Sequence, residues 1–180
     1  PDDATRREAF EAKAVALDAL GRADEAYAAY NEVPAEDHLA TRAALALKLA
    51  RYDESARLFG ELLQARPDDV EVARNLALSL EQTGRLSQAI DAYRTALKVK
   101  EDAELRLLIV SLLNGTRAHD DAWEMLATFP MPSKDPRLLR TQLRTAVWSG
   151  RLTDAATLLG HVTPLSPEEV TLASDLALAL

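Results

Sequence analysis

The chain of 180 residues contains no cysteine. That excludes disulfides, a thiolate nucleophile and a cysteine-ligated zinc site, and it leaves an oxidising and a reducing compartment equally open. Aromatic residues make up only 5% against 48% hydrophobic residues in all, so any core must be packed by alanine and leucine. Lysine and arginine, 21 together, are outnumbered by 29 aspartates and glutamates. The resulting charge of -8 repels a phosphate backbone, which disfavours DNA or RNA as a partner. No apolar run approaches the roughly 20 residues of a membrane-spanning helix. No basic-then-apolar segment opens the sequence, and this stretch is expected to be soluble.

What the sequence does have is regular punctuation. Gly21, Pro34, Pro67, Gly84, Gly115, Pro130, Pro132, Pro136, Gly150, Pro164 and Pro167 occur at intervals. Between them, apolar residues return every three or four positions, as in Val70, Ala73, Leu76, Ala77 and Leu80, which is helical period and not strand alternation. Eleven helices and no sheet are predicted. Ser166, Pro167 and Glu169 spell a capping box with proline in the first turn, and Asp135 before Pro136 makes a similar start. Asp68 and Asp69 after Pro67 favour another helix amino end.

Small residues open every second helix at Ala26, Ser55, Ala89, Ala122 and Ala155, at intervals of 29, 34, 33 and 33. This is close to the period of about 34 of a helix-turn-helix repeat. The clearest copy runs from Val70 to Asp102, with Leu76, Ala77, Gly84, Ala89, Tyr93 and Ala96 in place and Glu101 where a closing proline would stand. In the copy before it Tyr52, Phe59 and Pro67 fit while Arg42 occupies a leucine position; in the copy after it Leu126 replaces the aromatic and Arg106 falls on a core position. On these residues the chain resembles the tetratricopeptide repeat family. The resemblance implies an all-α, right-handed α-solenoid of about five helix pairs plus a lone terminal helix. The units are approximately 4–34, 35–68, 69–102, 103–134 and 135–165, with a half repeat at 166–180.

Residues 170–180 repeat the pattern of 70–80, and the PDD at 1–3 echoes that at 67–69. These echoes predict a fragment of a longer array. They also predict self-association through 166–180, with Leu172, Leu176 and Leu180 on an uncovered face.

The resemblance further implies that first helices line a concave groove, so their non-core residues are candidate partner contacts. In the clearest copy these are Glu71, Arg74, Leu78, Glu81 and Gln82. In the fifth pair Arg137, Arg140 and Arg144 recur at spacings of three and four, with Trp148 one turn further. Arginine forks beside a ring suit carboxylates, acidic peptides or sugar faces. The alternative is a solvated helix face with a tryptophan filling a gap between repeats. The first helix offers the opposite sign, with Glu8, Glu11 and Asp18 around Val15. The Lys and Asn pair by which related repeats clamp a chaperone's terminal carboxylate is absent, since Glu11 and Val15, Ala40 and Ala44, and Asn75 and Leu78 stand there. RNA-reading repeats of similar length are disfavoured by the charge.

No catalytic constellation emerges, and no metal or cofactor motif. His38, His119 and His161 lie in different repeats without HExxH spacing, and Asp120 and Asp121 beside His119 are accounted for as a helix start. No phosphate loop or nucleophile elbow occurs. A non-catalytic protein-interaction scaffold is therefore expected. Alanine-rich repeats with arginine well above lysine also resemble those of bacterial exopolysaccharide export proteins of the Pel type. That resemblance implies a periplasmic location and an exopolysaccharide-modifying enzyme as partner. A regulatory or adaptor segment of a larger cytoplasmic protein is the alternative.

Overall fold

A hairpin of helices needs one residue that ends the first helix and turns the chain back, and here it adopts the left-handed conformation each time. Gly21, Ala50, Gly84, Arg117 and Gly150 have φ of 74°, 56°, 75°, 64° and 71°. In the computed structural model, which describes residues 3–33 and 38–179, each apex carries the same two backbone bonds. At the third of them Gly84 N–H reaches Glu81 O at 2.9 Å and Arg85 N–H reaches Leu80 O at 2.9 Å. This pairing satisfies the otherwise orphaned carbonyls of a helix end. Gly115, expected as a breaker, is instead the last residue of its helix, and the turn falls on Arg117.

A left-handed arginine costs roughly 1–2 kcal/mol that glycine avoids, partly offset by the greater freedom of unfolded glycine. Arg117→Gly should therefore stabilise the protein by about 0.5–1 kcal/mol, read as a higher denaturant midpoint.

The chain forms two compact units. The first, Pro1–Glu101, holds α1 (Asp3–Ala19), α2 (Ala23–Tyr30), α3 (Leu39–Lys48), α4 (Tyr52–Ala65), α5 (Val70–Gln82) and α6 (Leu86–Val99). The second, Asp102–Leu180, holds α7 (Ala103–Gly115), α8 (His119–Leu126), α9 (Pro136–Trp148), α10 (Leu152–Leu159) and α11 (Pro167–Ala179). Among the described residues there is no strand. Within each unit consecutive helices pack in antiparallel hairpins, and each hairpin leans on the next: α2 on α3, α4 on α5, α8 on α9, α10 on α11.

The small residues set this packing. Ala26, Ser55, Ala89, Ala122 and Ala155 are all 0% exposed, which lets helix axes approach closely. Four residues on from each, Tyr30, Phe59, Tyr93, Leu126 and Leu159 fill the adjoining space and are buried. Ser55 is the one polar member of the series. Its hydroxyl lies 2.9 Å from that of Ser79, which donates to Asn75 O at 2.8 Å, so α4 and α5 share a satisfied buried pair. In the second unit Asn114 Nδ2 donates to Thr145 Oγ1 at 2.8 Å, joining α7 to α9.

Leu105, Ile109, Val110 and Leu113 supply the inward face of α7. Arg106 is thereby turned aside, and its guanidinium donates to Thr128 Oγ1 at 3.2 Å. The wholly buried Gln142 holds the connection into α9 by donating to Pro130 O at 2.9 Å and accepting from Ser133 N–H at 3.0 Å.

The caps at Asp69 and Asp135 form, each accepting from backbone amides of its helix. At α11 Ser166 N–H donates to Glu169 Oε2 at 2.7 Å, and Glu169 N–H donates to Ser166 Oγ at 3.3 Å. The expectation that Leu172 and Leu176 lie uncovered is corrected here. Leu176 is buried, and with Leu172 and Ala173 it packs against the core of α9 and α10. The face of α11 that remains outside carries Val170 and Leu178, and Leu180 lies outside the described residues.

Candidate functional site

Helix α9 begins at the Asp135 cap, which fixes where its stripe points. Inward go Leu139, Gln142, Leu143 and Ala146. The flank beside them faces the start of α11 across a groove of about 560 Å³. Arg140, Leu143, Arg144, Val147 and Trp148 form one wall. Ser166, Glu168, Glu169 and Leu172 form the other. One is the first helix of its hairpin and the other the half repeat that follows it, in the register expected to line a concave side.

The arginines of α9 have separate fates. Arg140 Nε donates to Glu169 Oε1 at 3.0 Å and its Nη2 to Pro164 O at 3.0 Å, so it ties α11 and the loop before it to α9. Arg144 lies over the Trp148 ring, 5.2 Å from its centre. Arg137 is exposed and does not line the groove. Trp148 is 48% exposed, and its ring also meets His119 at 5.3 Å between centroids. His119, the first residue of α8, is itself anchored by Asn114 Oδ1 at 3.2 Å from Nδ1. It thus supports the tryptophan from behind, a role that its spacing in the sequence did not disclose.

Bonds from the Ser166 backbone first, then from the Ser166 hydroxyl and Arg140, outweigh burial and hold the Glu169 carboxyl below its ordinary 4.5. A depressed acid stabilises the fold above its unfolded value and loses that contribution as pH falls through the folded one. Amide protection in α11, taken relative to the intrinsic exchange rate at each pH, should therefore fall as pH drops below about 4.5 more than protection in α9. Glu169→Gln should remove that difference.

The candidates on α5 are not gathered in this way. Glu71 and Leu78 are exposed, and Arg74 is half-buried. Glu81 bonds the Tyr93 side chain; burial first, then the Glu81 carboxylate, raises that phenol above its ordinary value. Gln82 lines a different cavity, with Thr83 and Arg85 at a hairpin apex and Arg51 to Glu54 at the previous one. On α1, Glu11 lies 3.6 Å from Arg7 Nε and Asp18 lies 3.6 Å from Lys48 Nζ, so the acidic stripe is partly neutralised by these two cations. Among the described residues no three His, Asp or Glu side chains converge to hold a metal ion. Nor is any described helix long and apolar enough to cross a membrane.

Residues 41–109 match the tetratricopeptide repeat family. Over that stretch the chain carries tetratricopeptide repeats. A stretch of 59 residues is 39% identical to Protein FlbA of Caulobacter vibrioides, covering 33% of this chain and 10% of FlbA. The chain therefore spans only a small part of that relative. Among solved structures, MamA of strain AMB-1 superposes with a TM-score of 0.67 at 18% identity over 99% of this chain and 95% of that one. The Naa15/Naa10 complex bound to HypK gives 0.72 at 16% identity, over 93% of this chain and 28% of the matched one. These likenesses fix the repeat fold, an all-α solenoid of helical hairpins.

Proposed function

We propose that this repeat chain is a non-catalytic scaffold that captures a segment of a partner protein in the groove between α9 and α11. The observation that carries the reading is the convergence of a half-exposed, doubly braced Trp148, an exposed Arg144 and an apolar floor in one groove. Exposed rings held in place are the side chains that supply most energy at protein interfaces. A relative of this fold, Naa15/Naa10, is bound to HypK, which supports a protein as the ligand class.

The test is affinity capture on immobilised wild-type protein and on Trp148→Ala, with thermal melting as a control. Loss of the same partners at an unchanged midpoint supports the groove; undiminished capture removes it. Reversing all three arginines is a poorer test, because Arg140 holds Glu169 and its loss would loosen α11.

A periplasmic setting beside an exopolysaccharide-modifying enzyme draws support only from the alanine-rich, arginine-over-lysine texture of the repeats. The alternative is a regulatory or adaptor segment of a larger cytoplasmic protein. Fractionation of the source cells with an antibody to this segment decides between them.

A further inference from the structure

The charges around the groove define its ligand more narrowly. Arg140 and Glu169 answer one another, and each has one further tie, from Arg140 to Pro164 O and from Ser166 N–H to Glu169. Neither is free to bind a partner without dismantling the start of α11. Arg144 differs: it is exposed, and among the described residues it pairs with no carboxylate. A guanidinium stacked on a ring uses its face for that contact and keeps its N–H edge for a planar acceptor. A carboxylate matches that edge with two parallel bonds. Next to it lie Leu143, Val147 and Leu172, which form an apolar floor. Glu168, also exposed, stands on the opposite wall.

Resting on the groove reading above, we propose that the occupant is an extended peptide segment presenting one acidic side chain to Arg144 and an adjoining bulky apolar side chain to the floor. The acidic residue sits at the α9 wall, because Glu168 repels it from the α11 wall. A long acidic run is disfavoured by the overall charge of -8. A phosphate polymer is disfavoured for the same reason, since one available arginine cannot offset that field.

The experiment is a titration of the 15N-labelled chain with amide-capped peptides: Gly-Gly-Asp-Phe-Gly-Gly, its Lys-Phe counterpart and its Asp-Ala counterpart, followed at the Trp148 indole N–H. The Asp-Phe peptide should shift that signal and bind at least about tenfold more tightly than either counterpart. Arg144→Glu should reverse the preference between the Asp-Phe and Lys-Phe peptides, and Arg144→Gln should abolish it. In both variants the unshifted remainder of the spectrum reports an intact fold.

Equal binding of Asp-Phe and Lys-Phe at Trp148 would overturn the acidic specificity while leaving the groove as the capture site. Equal binding of Asp-Phe and Asp-Ala would overturn the apolar half of the proposal. No response at Trp148 to any peptide would overturn the proposed ligand class, with the Trp148→Ala capture experiment judging the groove separately.

Discussion

Replacing Tyr93 by alanine will destabilise the first unit by about 3–5 kcal/mol, the range for truncating a large buried ring. Tyr93 is 4% exposed and stands between Ala89 and Ala96, both 0% exposed, in the space their small side chains leave. Neighbouring backbone cannot close over the gap without bringing α5 and α6 onto a new crossing, so a cavity remains. Tyr93→Phe separates packing from polarity, because it keeps the ring and gives up only the bond to Glu81. It should cost about 0.5–1.5 kcal/mol. Chemical denaturation measures both. Since each hairpin is stabilised by its neighbours alone, amide exchange should rise most in α4, α5 and α6 and least in α1 and α2. A uniform rise across the unit would contradict nearest-neighbour stacking.

Leu126→Ala will cost about 2–5 kcal/mol in the second unit. The residue stands four positions after Ala122, where three other copies have an aromatic, and it is completely buried. It closes an α8 of only 8 residues, too short to persist without packing. Exchange in α8 should therefore approach that of an unfolded segment while α10 and α11 are less affected. Leu126→Phe tests the converse: an extra ring in a filled site should itself cost about 1–3 kcal/mol by overpacking. A gain in stability would mean that leucine is an imperfect substitute for the aromatic.

Helices and their pairing were legible because both are local. The capping box at Ser166 is a pattern within one turn of chain, and the interval of 33 between Ala89 and Ala122 spans a single hairpin. Arg117 was not legible as the apex because glycine, two residues earlier at Gly115, advertises a turn that the backbone does not make there. The candidate groove was half legible. Spacing alone placed Arg140, Arg144 and Trp148 on one flank of α9. It could not show that Arg140 is taken by Glu169, a residue 29 positions away. Nor could it show that His119 would meet Trp148, because ring contacts across hairpins depend on how α8 and α9 cross. Helical periodicity states which side a residue is on, and partner choice within that side is a tertiary matter. Leu172 and Leu176 show the same limit. Their stripe was clear, but whether it faced the preceding hairpin or the outside was not.

The two buried polar pairs give each junction a distinct key. Where α4 meets α5 the lock is hydroxyl to hydroxyl, and where α7 meets α9 it is amide to hydroxyl. A hairpin transplanted from one junction to the other would bring a different polar partner to the hydroxyl of Ser79 or Thr145. Repeats that look interchangeable in outline are thus sorted into a fixed sequence from the inside, and any attempt to shuffle or duplicate them must carry the matching lock along.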